Sequence, residues 1–308
     1  IIGATAERMK FSAILAFLFL WFTFAYLPMA HMVWWWGGPS AADAPAGYIF
    51  SLGALDFAGG TVVHINAAVA ALVCAVVVGK RQEYPSSSLL PHNVPFVLLG
   101  SGLLWFGWFG FNAGSALPAS PQAGLAFVTT MLAPAATLVV WTLLDFFRLG
   151  KVTAVGGATA IVVGLVAITP AAGFISPMNA LILGAVAAVP SYIGLIVRAK
   201  SGLDDSLDVI AAHGLGGTVG ALLTGVFADQ SLNGLANGLM YGNPGQLGIQ
   251  AVAVAAAIAY SGVATFVLLM LIRLVVPLRA TDADESTGLD LTLHGEEAYL
   301  HAEGSARR

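Results

Sequence analysis

Eight long apolar runs constrain the fold of this 308-residue chain more than any other feature of its sequence. A helix needs about 20 apolar residues to cross the hydrocarbon core of a bilayer, which is ~30 Å thick. Lipid offers backbone groups no hydrogen-bond partner, so each run is predicted to be a helix, and the last run is long enough to tilt or project. The predicted spans cover residues 11–30, 57–79, 94–111, 123–147, 152–170, 175–197, 207–228 and 248–278.

The composition excludes an ordinary soluble protein. Hydrophobic residues make up 58% of the chain and charged residues only 9%, whereas a soluble domain carries about 25% charged residues. The 12 basic and 16 acidic side chains are too few to coat a globule or to form a basic face for nucleic acid. The single cysteine, Cys74, excludes an internal disulfide. The predicted fold class is therefore an all-α polytopic membrane protein.

Every one of the 12 Lys and Arg residues falls on one side of the predicted bundle. The connections at 31–56, 112–122, 171–174 and 229–247 contain none. The positive-inside rule then predicts that both chain ends are cytoplasmic, with a transmembrane domain at 1–279 and a cytoplasmic tail at 280–308. The basic residues occur as the pairs Arg8 and Lys10, Lys80 and Arg81, Arg148 and Lys151, Arg198 and Lys200, Arg273 and Arg279, and Arg307 and Arg308.

Two histidines lie deep inside predicted spans. His64 is eight residues into the second span and His213 is seven residues into the seventh, which places both about 10–12 Å from a span end. Polar side chains at this depth are costly and usually face a cavity or one another, which favours a functional role. The sequence is compatible with two imidazoles that share a proton, with two that face separate carbonyls, and with a pair of haem ligands.

Three acidic residues favour structural roles at helix ends and surfaces. Asp56 and Asp208 stand at the starts of the second and seventh spans, where a carboxylate is expected to cap the helix rather than bind a ligand. Asp145 precedes Arg148 by three residues, which predicts an ion pair on a helix surface. The glycines between 214 and 220 predict close packing of helices.

Aromatic residues cluster near two predicted span ends. Trp34, Trp35 and Trp36 are consecutive, and they favour either an interfacial belt or a cation–π platform. The second cluster consists of Trp105, Trp108, Phe109 and Phe111. Ser115 follows Phe111 by four residues, so a continuing helix would present the ring and the hydroxyl on one face.

Several motifs along the chain form one pattern. They lie at 6–11, 30–34, 56–68 with 79–81, 91–93, 107–115, 213–214, 288–290 and 294–296. This pattern resembles that of the ammonium transporter (Amt/Mep/Rh) family over essentially the whole chain. The resemblance implies an eleven-helix fold that assembles as a homotrimer, with a pore through each subunit. This chain, which opens at Ile1, would correspond to spans four to eleven of that fold and so to a piece of a longer protein.

The resemblance also implies a conduction path. It assigns cation binding to Trp34 and Ser115, a hydrophobic gate to Phe111 and Trp108, a pair of pore histidines to His64 and His213, and a supporting role to Asp56. Two further tryptophans follow Trp34, so Trp35 and Trp36 remain alternatives for the binding ring.

The function that the resemblance implies is ammonium transport without enzymatic activity, cofactor or metal. The cation would be recruited at the aromatic site, and ammonia and the proton would pass through the apolar pore. The implied partners are ammonium or ammonia, the lipid bilayer of the cell membrane and a PII-type signal protein on the cytoplasmic side, with no nucleic acid. A sensor that signals through residues 280–308 is the alternative.

Overall fold

The computed structural model describes residues 1–41, 43–85 and 91–299, and the regular structure of this part is helical. Its one β feature among those residues is an isolated bridge between Met9 and Arg279. The long helices are α1 Phe11–Trp34, α2 Gly60–Val78, α3 Val94–Gly114, α4 Pro121–Leu149, α5 Ala154–Ile168, α6 Pro177–Ser201, α7 Ile210–Phe227 and α8 Gly245–Arg273.

Each predicted span overlaps one of these helices, and the all-helical membrane class is confirmed. Seven helices of the described part are long and apolar enough to cross a membrane, whereas α5 has 15 residues, so the count of eight spans is not confirmed. The backbone explains why α5 ends early. Pro170 follows Thr169, and their carbonyls accept from the N–H groups of Phe57 and Ala58 at 3.0 and 3.2 Å instead of continuing a helix.

The remaining helical pieces are short and lie between or beyond the long helices. They are Ile2–Ala4, Pro39–Ala41, Tyr48–Ser51, Gln230–Asn233, Leu239–Tyr241, Asp282–Thr287 and Asp290–His294.

Three long helices contain a π-helical segment. These segments are Phe22–Tyr26 in α1, Gly60–Ile65 in α2 and Ile210–Leu215 in α7. Segments of this kind are rare and occur frequently at functional sites. The two intramembrane histidines each lie in one of them.

Small residues bring the helices together, as predicted from the glycines. A side chain at Gly220 of α7 would run into the carbonyl oxygen of Ala167 on α5, and one at Gly184 of α6 into that of Ala133 on α4. Backbones can approach this closely only where no Cβ intervenes. Large apolar side chains such as Phe19 and Phe106, 72% and 78% exposed, cover the outer surface, as expected for contact with lipid.

The expected ion pair between Asp145 and Arg148 is wrong. The Asp145 carboxylate is buried and accepts hydrogen bonds from the Tyr192 hydroxyl at 3.0 Å and the Thr153 hydroxyl at 2.7 Å. A side chain at Gly156 would occupy the space that this carboxylate fills. Arg148 instead lies 5.8 Å from the centre of the Tyr192 ring. The hydroxyls of Thr153, at the N-terminus of α5, and of Tyr192 therefore hold the carboxylate in the interior, away from the helix surface.

A buried charge cluster joins the ends of three elements on the basic side of the bundle. Arg8, which is 0% exposed, donates to the carbonyl of Gly79 at 2.7 Å and lies 3.9 Å from the Asp204 carboxylate. Arg81 approaches the same carboxylate to 2.7 Å. Burial alone would raise the pKa of Asp204, but the hydrogen bonds from Arg81 outweigh it and hold that pKa below its ordinary value.

The first part of the predicted tail is docked against the loop that follows α2. Arg279 pairs with Glu285 at 2.6 Å and donates to the carbonyl of Lys80 at 2.6 Å. The backbone N–H of Gln82 donates to Glu285 at 2.8 Å. The end of the tail, with Arg307 and Arg308, lies outside the described residues.

Candidate functional site

The two intramembrane histidines are in direct contact. Nδ1 of His64 and Nδ1 of His213 are 3.2 Å apart, and the ring centroids are 5.3 Å apart. Of the arrangements that the sequence left open, the structure therefore has the one in which the imidazoles face each other. This direct contact favours a hydrogen bond between the two rings over a metal held between these nitrogens, which would need about 4 Å given metal–nitrogen bonds of about 2 Å.

Aromatic rings surround His64 on the α3 side. Trp108 stacks on the imidazole with centroids 5.4 Å apart and an interplanar angle of 18°. Phe111 meets the imidazole edge-on at 6.3 Å and meets Trp108 edge-on at 5.5 Å. The structure thus brings together four of the predicted site residues.

A cavity of about 430 Å³ opens beside this group. His64, His213 and Trp108 are the lining residues with polar side-chain atoms. The rest of the wall is mostly apolar and includes Val63, Ala67, Leu103, Leu104, Phe111 and Val209. Such a cavity can hold a small neutral molecule beside a proton-accepting nitrogen, and it disfavours a bare ion.

Asp56 caps the start of α2, as the sequence predicted. Its carboxylate accepts from the backbone N–H groups of Gly59, Gly60 and Thr61 at 2.8, 2.6 and 2.8 Å, and from the Thr61 hydroxyl. The backbone of Gly59 turns through φ +118°, a conformation that L residues rarely adopt. Both carboxylate oxygens are therefore occupied by the turn that leads into the His64 segment.

The corresponding residue for His213 was missed. Asp205, eight residues before His213 as Asp56 is before His64, is buried and accepts from the N–H of Ile210 at 2.8 Å. The equal spacing of the two Asp–His pairs is the signal that could have found it. The expected cap at Asp208 is wrong, because that side chain pairs with Arg198 at 2.6 Å.

The three consecutive tryptophans have different surroundings. Nε1 of Trp34 donates to the backbone carbonyl of Asp56 at 2.8 Å. Trp35 stacks on His31 at 4.8 Å, and Trp36 stacks on Phe50 at 6.4 Å. Trp34 is thus the one of the three that is bonded to the Asp56 turn.

Ser115 lies at the C-terminal end of α3, one turn after Phe111. Its hydroxyl donates to the Phe111 carbonyl at 2.9 Å. Ring and hydroxyl therefore share one helix end, as their spacing predicted. No hydrogen bond or ring contact joins Ser115 to Trp34 within the described ranges.

Comparisons with known proteins point to one family. The model of the Ammonium Transporter Family matches residues 1–299. The chain is 49% identical to an ammonium transporter of Aquifex aeolicus over 96% of its own length and 67% of the relative. It is 47% identical to an ammonium transporter of Bacillus subtilis over 96% of its own length and 71% of the relative.

Solved structures give the same result for the fold. The crystal structure of Saccharomyces cerevisiae Mep2 superimposes with a TM-score of 0.81 at 35% identity, covering 91% of this chain and 62% of that one. A structure described as a sensor Amt protein superimposes with a TM-score of 0.84 at 33% identity, covering 96% of this chain and 72% of that one. The chain therefore spans about two thirds of the length of these relatives.

Proposed function

Because this chain belongs to the ammonium transporter family, we propose that it moves ammonium across a membrane. The relatives are named as transporters, not enzymes. The observation that carries the proposal is the contact between His64 and His213 beside an apolar cavity. A protonatable pair in such a place suits a substrate that can enter as a cation and cross as a neutral molecule.

Recruitment of the cation is assigned to Trp34 and Ser115. The Trp34 ring supplies a cation–π face, worth about 0.5–2 kcal/mol, and Ser115 supplies a hydroxyl oxygen. The bond from Trp34 to the Asp56 carbonyl supports this choice over Trp35 and Trp36, which pack on other rings. Asp56 acts by holding the turn, because its carboxylate oxygens are already occupied by backbone N–H groups.

Selectivity follows from the cost of moving an ion into an apolar path. The idealised cost of moving an ion into a low-dielectric medium is of order 20 kcal/mol, and ammonia escapes most of it once ammonium loses its proton. Potassium and sodium have no proton to lose. Phe111 and Trp108, which pack on His64, form the apolar gate at which this difference takes effect.

The histidine pair carries the proton while ammonia crosses separately. Two imidazoles in hydrogen-bond contact can exchange a proton without a water chain. The contact of 3.2 Å between their Nδ1 atoms supports this role.

The surroundings of the protein are proposed from the charge distribution and the family. The chain lies in the cell membrane with its basic side and C-terminus in the cytoplasm. It assembles as a homotrimer, and a PII-type signal protein binds on the cytoplasmic side. The ordered segment at 279–288 offers that partner a surface of fixed shape.

Reconstitution tests the function. The full-length protein is placed in liposomes, and current is recorded with ammonium and then potassium as the only permeant cation. We expect a current with ammonium and none with potassium. Equal currents would contradict the proposal. The absence of flux, together with ammonium-dependent binding of a partner to the tail, would favour a sensor.

A further inference from the structure

The hydroxyl of Thr169 lies between the histidine pair and two other groups. Thr169 follows α5 and is 0% exposed. Its Oγ1 is 2.8 Å from the Leu165 carbonyl oxygen, 2.9 Å from Nε1 of Trp108 and 3.2 Å from Nε2 of His64. Within the described part of the chain, Thr169 is the one hydrogen-bond partner of that histidine nitrogen.

The Thr169 hydroxyl donates its hydrogen to the carbonyl oxygen of Leu165. A carbonyl oxygen can only accept, and the hydroxyl has one hydrogen to give. The backbone N–H of Thr169 bonds to Val166 at 3.3 Å, so the hydroxyl replaces the helical donor that Leu165 would otherwise have. Turning the hydroxyl toward His64 would leave this buried carbonyl without its donor, at a cost of about 1–3 kcal/mol.

The two lone pairs of the hydroxyl must then meet two donors. The Trp108 indole nitrogen can only donate, which occupies one lone pair. The other lone pair faces Nε2 of His64, and two lone pairs facing each other would repel. Nε2 of His64 therefore carries a hydrogen.

We propose that Thr169 is a positioning residue that fixes the tautomers of the whole pair. With a hydrogen on Nε2, neutral His64 has a bare Nδ1, which accepts from His213 across the 3.2 Å contact. His213 therefore carries its hydrogen on Nδ1, and its Nε2 is the free acceptor of the pair. Within the described residues His213 hydrogen bonds through Nδ1 alone, and its ring lines the cavity.

This assignment leaves the neutral pair one free acceptor nitrogen, Nε2 of His213. A proton that reaches the pair is accepted at Nε2 of His213, and the Nδ1 hydrogen of His213 can then pass to Nδ1 of His64. Net transfer beyond His64 requires its Nε2 hydrogen to pass from the Thr169 contact to an ammonia or water molecule in the cavity that both rings line. The role proposed for Thr169 rests on the proposed function, but the tautomers themselves can be observed without any transport.

The Thr169 position is also tied to the Asp56 turn. Its carbonyl accepts from the N–H of Ala58 at 3.2 Å, and a side chain at Gly60 would run into the Pro170 ring. The turn that Asp56 holds therefore places the hydroxyl that orients His64.

The test is ¹⁵N NMR of the full-length protein with labelled histidine, in liposomes at pH 8, where an ordinary imidazole is neutral. Protonated and bare ring nitrogens have separate ¹⁵N shifts, and the His64→Ala and His213→Ala variants assign the signals. We expect hydrogen on Nε2 of His64 and on Nδ1 of His213. A bare Nε2 on His64 in the unmodified protein would overturn the proposal, whatever the variants do.

Substitutions at Thr169 then separate positioning from packing. Thr169→Ser keeps the hydroxyl and should keep the tautomers, with current within about twofold. Thr169→Val should give mixed tautomers and lower the current about 10- to 100-fold, by analogy with the loss of the partner that orients a metal-bound histidine. The matched control is Thr159→Val on α5, whose hydroxyl bonds only to the Val155 carbonyl, 2.9 Å away, in the described structure.

The outcomes are distinguishable. Unchanged tautomers in Thr169→Val contradict the positioning role. The expected tautomers in a protein that carries no ammonium current contradict the proposed function and leave the assignment of the hydrogens intact.

Discussion

The indole N–H of Trp34 donates a hydrogen bond of 2.8 Å to the backbone carbonyl of Asp56, so α1 is bonded to the turn that begins α2. The same Asp56 residue uses its carboxylate to hold Gly59, Gly60 and Thr61. One residue thus fixes both the tryptophan at the end of α1 and the approach to His64. The proposed binding ring and the proposed proton site share a structural support.

Replacement of Trp34 should weaken ammonium binding. We expect Trp34→Leu to raise the ammonium concentration for half-maximal uptake about 2- to 30-fold, because a cation–π contribution of about 0.5–2 kcal/mol is lost. Uptake at saturating ammonium should change less. The measurement is methylammonium or ammonium uptake against concentration. Trp35→Leu, which removes a ring that stacks on His31, is the control. An effect in Trp35→Leu alone would assign the binding ring to Trp35.

Replacement of Asp56 should cost stability as well as transport. Asp56→Ala removes the acceptor of three backbone N–H groups, and each hydrogen bond to a charged group contributes about 1.5–3 kcal/mol. We expect a lower melting temperature in detergent together with loss of current. Asp229→Ala, which removes an exposed cap at Gln230–Asn233, is the matched control and should change stability by about 1 kcal/mol or less. Normal stability with weakened ammonium binding in Asp56→Ala would mean that Asp56 binds the cation directly.

Asp204 should be required for folding of the basic side. Asp204→Asn leaves Arg8 buried without its carboxylate, and breaking a buried ion pair costs about 3–5 kcal/mol. Because the pKa of Asp204 is held below its ordinary value, its contribution is complete above about pH 4 and is lost as the pH falls through the lowered pKa. The measurement is thermal unfolding at pH 7 and at pH 3–4, where the difference from the unmodified protein should shrink.

Glu7→Gln provides the control for this cluster. Glu7 lies 3.8 Å from Arg81 but its side chain is 64% exposed, so its removal should change the free energy of unfolding by about 1 kcal/mol or less. Equal losses in Glu7→Gln and Asp204→Asn would show that burial of the pair is unimportant.

The sequence predicted the membrane class and the position of each long helix, because apolar length is a direct consequence of bilayer thickness. The capping role of Asp56 was also predictable, since a carboxylate at a helix start can accept from the free N–H groups of the first turn. The error at Asp208 has a physical reason. Asp205, three residues earlier, already supplies the cap, which leaves Asp208 to pair with Arg198.

Other features depend on contacts between distant parts of the chain. The contact of His64 with His213 and the place of Thr169 require helices far apart in sequence to pack in one way. The local hydrogen bond does not distinguish Thr169 from Thr159, since each hydroxyl bonds back to a carbonyl four residues earlier. The early end of α5 combines a local signal, Pro170, with a distant one, because Phe57 and Ala58 donate to the carbonyls of Pro170 and Thr169 just beyond the helix.

Replacement of either pore histidine should abolish electrogenic transport while the protein still folds. We expect His64→Ala and His213→Ala to lose most of the ammonium current and to keep abundance and oligomeric state, because each variant removes one member of a relay that no other described group at the contact replaces. The exposed residue His31, which stacks on Trp35, provides the control His31→Ala, with current near that of the unmodified protein.

His64→Asp should restore charge movement but admit potassium, because a fixed negative charge favours partly hydrated cations. The measurement is current in proteoliposomes with ammonium and then potassium as the only permeant cation, beside a melting curve for each variant. Normal ammonium-selective currents in both alanine variants would leave the pair as packing residues. Loss of thermal stability and abundance together with the current would instead show that the pair only braces α2 against α7.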